Sequence, residues 1–305
     1  MVSLDEIKRF FRGTIKLNQP LASFTTFRIG GPADYYLEPL DKDDVVNVIK
    51  YFQANVSPFM IIGNASNLLI SDQGYRGAVL NLESALGDVR KEGDFVVAEA
   101  GAHLAKFVDF CVQRGLGGVE MLAGIPGTMG GAVIMNAGAY GGEISDHLVE
   151  VEVLREGKVI WIKKEEGGFS YRRSGFTRDV VLAGRFKPPR MDKTELMRRR
   201  RELLVKRNLA QPVNYPNAGS IFKNPAGTYA AKLIEAVGLK GLKHGGAQIS
   251  ERHGNFIVNT GSARAGDVLE LIREAQHEVF KKFKVRLDLE VKLIGFNEED
   301  LKAVA

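Results

Sequence analysis

A chain of 305 residues, 45% hydrophobic and 26% charged, can bury a sizeable core and is long enough for two or three domains. Its single cysteine, Cys111, excludes an internal disulfide, and no apolar run approaches the ~20 residues that a bilayer-spanning helix needs. The net charge of +5 fits phosphate-bearing ligands or nucleic acid, and excludes neither.

The N-terminus, Met1-Val2-Ser3-Leu4-Asp5-Glu6-Ile7-Lys8, has no basic stretch followed by an apolar run. No signal peptide is expected, and a reducing, cytoplasmic setting is the default. A short helix is expected from Ser3 to Phe11, then an extended segment. Strand Asp34 to Glu38 follows, then an amphipathic helix from Lys42 to Asn55 with Val45, Val48, Ile49 and Phe52 at helical spacing. Phe59 to Ile62 reads as a buried strand that runs into a small-residue loop, and Ala78 to Leu82 as another strand. Phe95 to Glu99 reads as a strand and His103 to Gln113 as a helix, in which Cys111 sits among apolar neighbours as a small hydrophobe. A glycine-rich stretch from Gly115 to Gly142 precedes strands Val149 to Arg155 and Lys158 to Lys163, joined by a tight Glu156-Gly157 turn. Val180 to Ala183 closes this region as a strand.

Pro188-Pro189 punctuates the chain. Helices are then expected at Lys193 to Arg207, Thr228 to Val237 and Ala265 to Phe283, with strands at Asn255 to Asn259 and Val285 to Ile294. The run Arg198 to Arg201 with Lys206-Arg207 is either a solvated helix face or a nucleic-acid contact. It lacks aromatic interleaving and lies in no recognised nucleic-acid module, which favours the first. The division expected is residues 1–86, 87–189 and 190–305, the first two together forming a ligand-binding part.

Five segments carry chemistry. In Ile61-Ile62-Gly63-Asn64-Ala65-Ser66-Asn67, small side chains let backbone N–H groups approach an anion, although a plain tight turn reads equally well. It is neither GxGxxG nor a Walker loop. From Ala123 to Gly142, seven glycines in twenty residues are too many for an ordinary packing helix or strand. Because Ile125, Met129, Val133, Ile134 and Met135 want burial, that backbone is expected to face a flat or phosphorylated ligand rather than solvent. Arg172 is a fork for a carboxylate or phosphate, or a surface charge. Ser220, in Asn217-Ala218-Gly219-Ser220-Ile221-Phe222-Lys223-Asn224-Pro225, is a hydroxyl aimed into a cleft or a turn hydroxyl; the segment is not a hydrolase elbow. Period-two alternation places Leu287, Leu289, Val291 and Leu293 on one strand face and Asp288, Glu290 and Lys292 on the other, where Glu290 reads as solvated.

Taken in this order, the segments resemble the UDP-N-acetylenolpyruvoylglucosamine reductase family. The resemblance runs from Ser23-Phe24-Thr25-Thr26-Phe27-Arg28-Ile29-Gly30-Gly31 to Glu290-Val291-Lys292-Leu293-Ile294-Gly295. Its most specific pieces are Gly124-Ile125-Pro126-Gly127, Asn136-Ala137-Gly138-Ala139-Tyr140-Gly141 and Gly219-Ser220-Ile221-Phe222-Lys223-Asn224-Pro225. It implies an α+β fold: a two-part FAD-binding domain of the vanillyl-alcohol-oxidase type and a C-terminal α+β substrate-binding domain. It implies NADPH-dependent reduction of the enolpyruvyl ether of a UDP-sugar to UDP-N-acetylmuramate, for peptidoglycan synthesis.

By motif match the resemblance makes Ser220 the general acid, and Arg172 and Glu290 the pair that polarises the enolpyruvyl carboxylate. It gives FAD contacts to Arg28, to Ile62, Gly63, Asn64, Ala65, Ser66 and Asn67, and to Gly124, Ile125, Pro126, Gly127, Thr128, Gly130, Gly131, Asn136, Ala137, Gly138, Ala139 and Tyr140. Lys223, Asn224 and His253 are substrate-side. The first loop has no His or Cys, so FAD is expected to be non-covalent. Only a short stretch separates Phe176 from Pro188, which matches the compact subtype without a tyrosine-bearing insertion. The expected partners are the UDP-sugar and NADPH, with no nucleic acid, membrane or metal, and a monomer is favoured. The rival readings are a flavin oxidase of the same fold acting on another alcohol or sugar, and a basic nucleic-acid-binding protein.

Overall fold

The structure, a computed structural model, describes residues 3–302 and Val304. The chain forms two compact units, each assembled from separated stretches. The first takes the chain up to Lys16, then Tyr35–Asn64 and Gly77–Lys206; the second takes Leu17–Asp34, Ala65–Arg76 and the chain from Arg207 on. Each unit has its own apolar core.

In the first unit, helix Lys42–Ala54 starts where Asp41 accepts the Asp44 N–H, and buries Val45, Val48, Ile49 and Phe52 at helical spacing. Asp44 is itself fully buried; its carboxylate takes the backbone N–H groups of Arg12, Gly13 and Leu40, which offsets the cost of burying a charge. Strand Phe59–Ile62 pairs in parallel with strand Tyr75–Asn81, from Phe59 opposite Ala78 to Ile62 opposite Asn81. It is an edge of a four-stranded sheet ordered Thr14–Pro20, Pro32–Glu38, Tyr75–Asn81, Phe59–Ile62.

An antiparallel five-stranded sheet runs Lys158–Lys163, Leu148–Arg155, Val180–Phe186, Phe95–Glu99, Val89–Glu92. Its first hairpin turns at Glu156 and Gly157, both at positive φ, as a two-residue turn matching strand twist requires. Helix Leu104–Gln113 buries Phe107, Val108 and Cys111.

The second unit holds helices Ala230–Ala236 and Ala265–Phe283 and a three-stranded sheet, Lys243–His244, Ala247–Ile249 and Ile257–Asn259. Strand Leu68–Ile70 pairs in parallel with Lys292–Ile294. Asp72 anchors the long helix by accepting the Ala265 N–H at 3.0 Å.

Several expectations change. The glycine-rich stretch contains a helix, Met129–Met135, because Ala132 and Val133 bury one face and its glycines lie in the first turn. The strand expected from Val285 to Ile294 is regular only at Lys292–Ile294. Upstream, the N–H groups of Glu290 and Val291 both converge on the Ile221 carbonyl instead of a ladder. Strand Asn255 to Asn259 begins at Ile257, because Phe256 N–H closes a turn on His253. The leading helix is Leu4–Lys8, with Ser3 as its cap. Strands Val89–Glu92, Lys243–His244 and Ala247–Ile249 had no distinct sequence signal.

Candidate active site

In the first unit, the two small-residue segments meet. Strand Phe59–Ile62 delivers Gly63 against Thr128 so closely that a Cβ on Gly63 would lie 2.2 Å from Thr128 Oγ1. Thr128 is buried, and Gly124 and Gly127 on the same stretch both sit at positive φ, where a side chain is strained. Gly131 is exposed and open: its Cβ position has only Thr128 Oγ1 within 4 Å, at 3.9 Å. Gly130 serves packing, since its Cβ position is 3.1 Å from Ala100. Gly63 is bare because Thr128 packs on it, while backbone at Gly127 and Gly131 beside that contact fits a flavin dinucleotide, whose pyrophosphate and planar ring both require close backbone approach. Ile62 is buried, while Asn64 and Ile125 are half-buried and Pro126 exposed at the rim.

The stretch after helix Met129–Met135 is held by Asn136, almost fully buried at φ +42. Its Nδ2 donates to Glu143 Oε2 at 2.7 Å and to the Ser170 carbonyl at 3.1 Å, so this side chain organises the turn. Ala137, Gly138 and Ala139 are half-buried, and Tyr140 is exposed at φ +53. Arg172, half-buried at φ +56, donates from Nη2 to the Gly138 carbonyl at 3.1 Å, and its guanidinium lies 4.9 Å from the Tyr171 ring centroid. Tyr140 lines a cleft of about 380 Å³ with Glu120, Arg199, Glu202, Leu203 and Lys206.

The basic helix is largely self-neutralised. Arg198 bonds Glu195 and Glu202, Arg199 bonds Glu195, and Arg200 pairs with Asp109. Hydrogen bonds from Arg198 and then Arg199 pull the Glu195 carboxyl down to about 2. With Arg198, Arg199 and Arg200 all committed to carboxylates, the nucleic-acid reading is disfavoured.

In the second unit, Ser220 and Glu290 come from stretches seventy residues apart and lie on adjoining backbones. Glu290 N–H donates to the Ile221 carbonyl at 2.8 Å, and Lys223 N–H to the Asp288 carbonyl at 2.8 Å. Asn67 locks the other side of Glu290: Nδ2 donates to the Glu290 carbonyl at 3.1 Å, and the Asn67 carbonyl accepts from Lys292 N–H at 2.9 Å. Asp288 and Lys292 are exposed, as the alternation expects, but Glu290 is half-buried rather than solvated. Ser220 is half-buried and follows Gly219, at φ +75, whose Cβ position is 3.9 Å from the Ser66 carbonyl. Loop residues Ala65, Ser66 and Asn67 therefore belong with Ser220 and Glu290 in this unit, while Gly63 and Asn64 belong to the first.

Other expected positions divide. Arg28 is exposed at φ +55. Lys223 is half-buried. Asn224 spends its Oδ1 on the Ala230 N–H, at the start of helix Ala230–Ala236. His253 Nδ1 accepts the Asn255 N–H at 3.3 Å, and burial pulls its pKa down. Asn255 received only a strand assignment from the sequence, yet it is 2% exposed and makes four hydrogen bonds around Ile221, Phe222 and His253. Its one sequence signal is a polar residue at the edge of the apolar run Phe256-Ile257-Val258. Among the described residues no group of three or more His, Cys, Asp or Glu is placed to hold a metal, and no helix is long and apolar enough to cross a membrane.

Known proteins resemble this chain along nearly its whole length. Residues 33–163 match the family model for an FAD binding domain, and residues 211–294 that for the UDP-N-acetylenolpyruvoylglucosamine reductase C-terminal domain. The UDP-N-acetylenolpyruvoylglucosamine reductase of Chloroherpeton thalassium is 46% identical, over 98% of this chain and 99% of the relative. That of Caldanaerobacter subterraneus subsp. tengcongensis is 43% identical, over 96% and 98%. The crystal structure of the Thermus caldophilus enzyme superposes with a TM-score of 0.78 at 37% identity, covering 93% of this chain and all of that one. The α+β class, with an FAD-binding part and a C-terminal domain, is thus as the sequence implies. With such identity across nearly its whole length, the chain belongs to the UDP-N-acetylenolpyruvoylglucosamine reductase family.

Proposed function

We propose that Ser220, Glu290 and Arg172 carry the family's reaction in this chain: FAD-dependent reduction, by NADPH, of the enolpyruvyl ether of UDP-N-acetyl-3-O-(1-carboxyvinyl)-glucosamine to UDP-N-acetylmuramate. The chain is an FAD-dependent oxidoreductase of peptidoglycan precursor synthesis. The observation that carries the residue assignment is the Glu290 N–H to Ile221 carbonyl bond, which seats Glu290 beside the Ser220 segment.

Bound FAD supplies the two-electron chemistry, from NADPH to C3 of the enolpyruvyl group. Ser220 then gives a proton to C2, as a general acid. Arg172 stabilises charge that develops on the substrate carboxylate, an electrostatic role suited to a planar fork. Glu290, half-buried beside the donor, hydrogen-bonds the enolic form. Gly127 and Gly131 give the dinucleotide its backbone approach, and the Gly63–Thr128 contact holds the two loops together beside them.

FAD is held non-covalently: loop 63–67 has no His or Cys, and Cys111, the sole thiol, is fully buried with its pKa pushed by burial to about 12. Residues 1–86 and 87–189 supply the two FAD-binding parts and 190–305 the substrate part, in the compact subtype, although Leu17–Asp34 and Ala65–Arg76 fold within the second unit and the first extends to Lys206. Lys223 and His253 serve the UDP-sugar side, and the setting is the cytoplasm.

The test uses purified, yellow protein without oxygen. NADPH should bleach the flavin, and the enolpyruvyl UDP-sugar should restore its colour. Fast reoxidation by dioxygen with no response to that substrate would favour a flavin oxidase instead.

A further inference from the structure

We propose that Asn255 is the positioning residue that fixes the Ser220 hydroxyl for proton delivery; the proposal rests on the assignment of Ser220 as the donor. Asn255 is 2% exposed and uses its whole amide on one neighbour. Its Oδ1 accepts the Phe222 N–H at 2.9 Å and its Nδ2 donates to the Phe222 carbonyl at 2.7 Å. Its own carbonyl accepts the Ile221 N–H at 2.9 Å. One residue thus plays the part of a neighbouring strand for the two residues that follow Ser220, its main-chain carbonyl holding Ile221 and its carboxamide Phe222. The Ile221 carbonyl takes the Glu290 N–H, so the same short stretch links Asn255, Ser220 and Glu290. Ahead of Ser220, Asn217 Oδ1 accepts the Gly219 N–H at 2.9 Å and fixes the approach.

The chemistry requires asparagine here. Phe222 is buried, and both its backbone polar groups depend on this carboxamide, one as donor and one as acceptor. Aspartate keeps the shape and the acceptor but sets a carboxylate against the Phe222 carbonyl. The Ile221–Phe222 backbone then shifts, and Ser220 with it. A displacement of about 1 Å from the productive geometry costs ~10²-fold in rate.

The experiment compares Asn255→Asp, Ser220→Ala and the double variant as full-length, FAD-loaded protein, with flavin bleaching by NADPH and reoxidation by the enolpyruvyl UDP-sugar timed separately. Amide exchange is read alongside, without either substrate. Asn255→Asp should slow reoxidation ~10²-fold and leave bleaching within about twofold, while the double variant should be no slower than Ser220→Ala, because two residues acting through one group are not additive. Exchange at the Phe222 amide should quicken while that of strand Ile257–Asn259 stays unchanged. If Asn255→Asp does not fold, Asn255→Ser is read by the same criteria. Equal slowing of both half-reactions, or losses that multiply in the double variant, would overturn the proposal. Ser220→Ala with normal reoxidation would instead remove the donor assignment itself, and this proposal with it.

Discussion

Gly63 and Thr128 interlock: the glycine has no Cβ because Thr128 Oγ1 and Cγ2 stand 2.2 and 2.5 Å from where it would be. Gly63→Ala should therefore cost about 1–3 kcal/mol of stability as an overpacked contact, and reduce retained FAD. Adding Thr128→Ala removes those two atoms and should recover part of both. Thermal unfolding and flavin stoichiometry measure it; a yellow Gly63→Ala protein of unchanged stability would show that the two loops do not need this contact.

Arg172→Lys keeps the charge and loses the fork that reaches the Gly138 carbonyl. Turnover should fall roughly 10²-fold, the scale of losing one preorganised donor. Flavin content should stay at the wild-type level. Near-normal turnover in the lysine variant would reduce Arg172 to a generic cation.

His253 gives a pH dependence with a definite sign. Burial lowers its pKa, with Lys240 adding to the effect and Glu235 opposing it. Its Nδ1 accepts the Asn255 N–H, which only an unprotonated Nδ1 can do. The unfolded chain thus binds the proton more readily than the folded one. The stabilisation is complete above the unfolded histidine value of about 6.5 and is lost as pH falls through the lower folded value. Denaturant midpoints between about pH 5 and pH 8 should drop on the acid side in the wild type and drop less in His253→Gln. Parallel curves for the two proteins would show that His253 carries none of the slope.

Val56 is β-branched, 91% exposed and at φ +50. The left-handed region costs such a residue about 1–2 kcal/mol, so Val56→Asn should stabilise the protein by about 1 kcal/mol. Catalysis should be unchanged, because Val56 lies in the turn after helix Lys42–Ala54. A destabilised Asn variant would contradict the strain argument.

Periodicity revealed the long elements. Helix Lys42–Ala54 and the hairpin at Glu156-Gly157 follow from local spacing and turn chemistry, so they were legible residue by residue. The helix at Met129–Met135 was not, because tertiary burial of Ala132 and Val133 overrides the poor propensity of Gly130 and Gly131. Val285 to Ile294 alternates like a strand, but the N–H groups of Glu290 and Val291 go to Ile221, a partner that no local pattern reveals. At the site, motif resemblance singled out Ser220, Glu290 and Arg172, while composition and spacing alone left each with a bland alternative. Asn255 escaped because its side-chain hydrogen bonds go to Phe222, thirty-three positions away.

The most direct test of the account is Ser220→Ala, with the two half-reactions timed separately and solvent deuterium traced into the product. The proposed role of Ser220 is confined to C2, so NADPH should bleach the flavin at close to the wild-type rate. Reoxidation by the enolpyruvyl substrate should slow by roughly 10²–10⁴-fold, the range of general acid catalysis. In the wild type, solvent deuterium should appear at C2 and the flavin-derived hydrogen at C3. Equal slowing of flavin bleaching and reoxidation in Ser220→Ala would contradict the account, and would leave Ser220 as a hydroxyl that only holds the Asn217 to Pro225 loop.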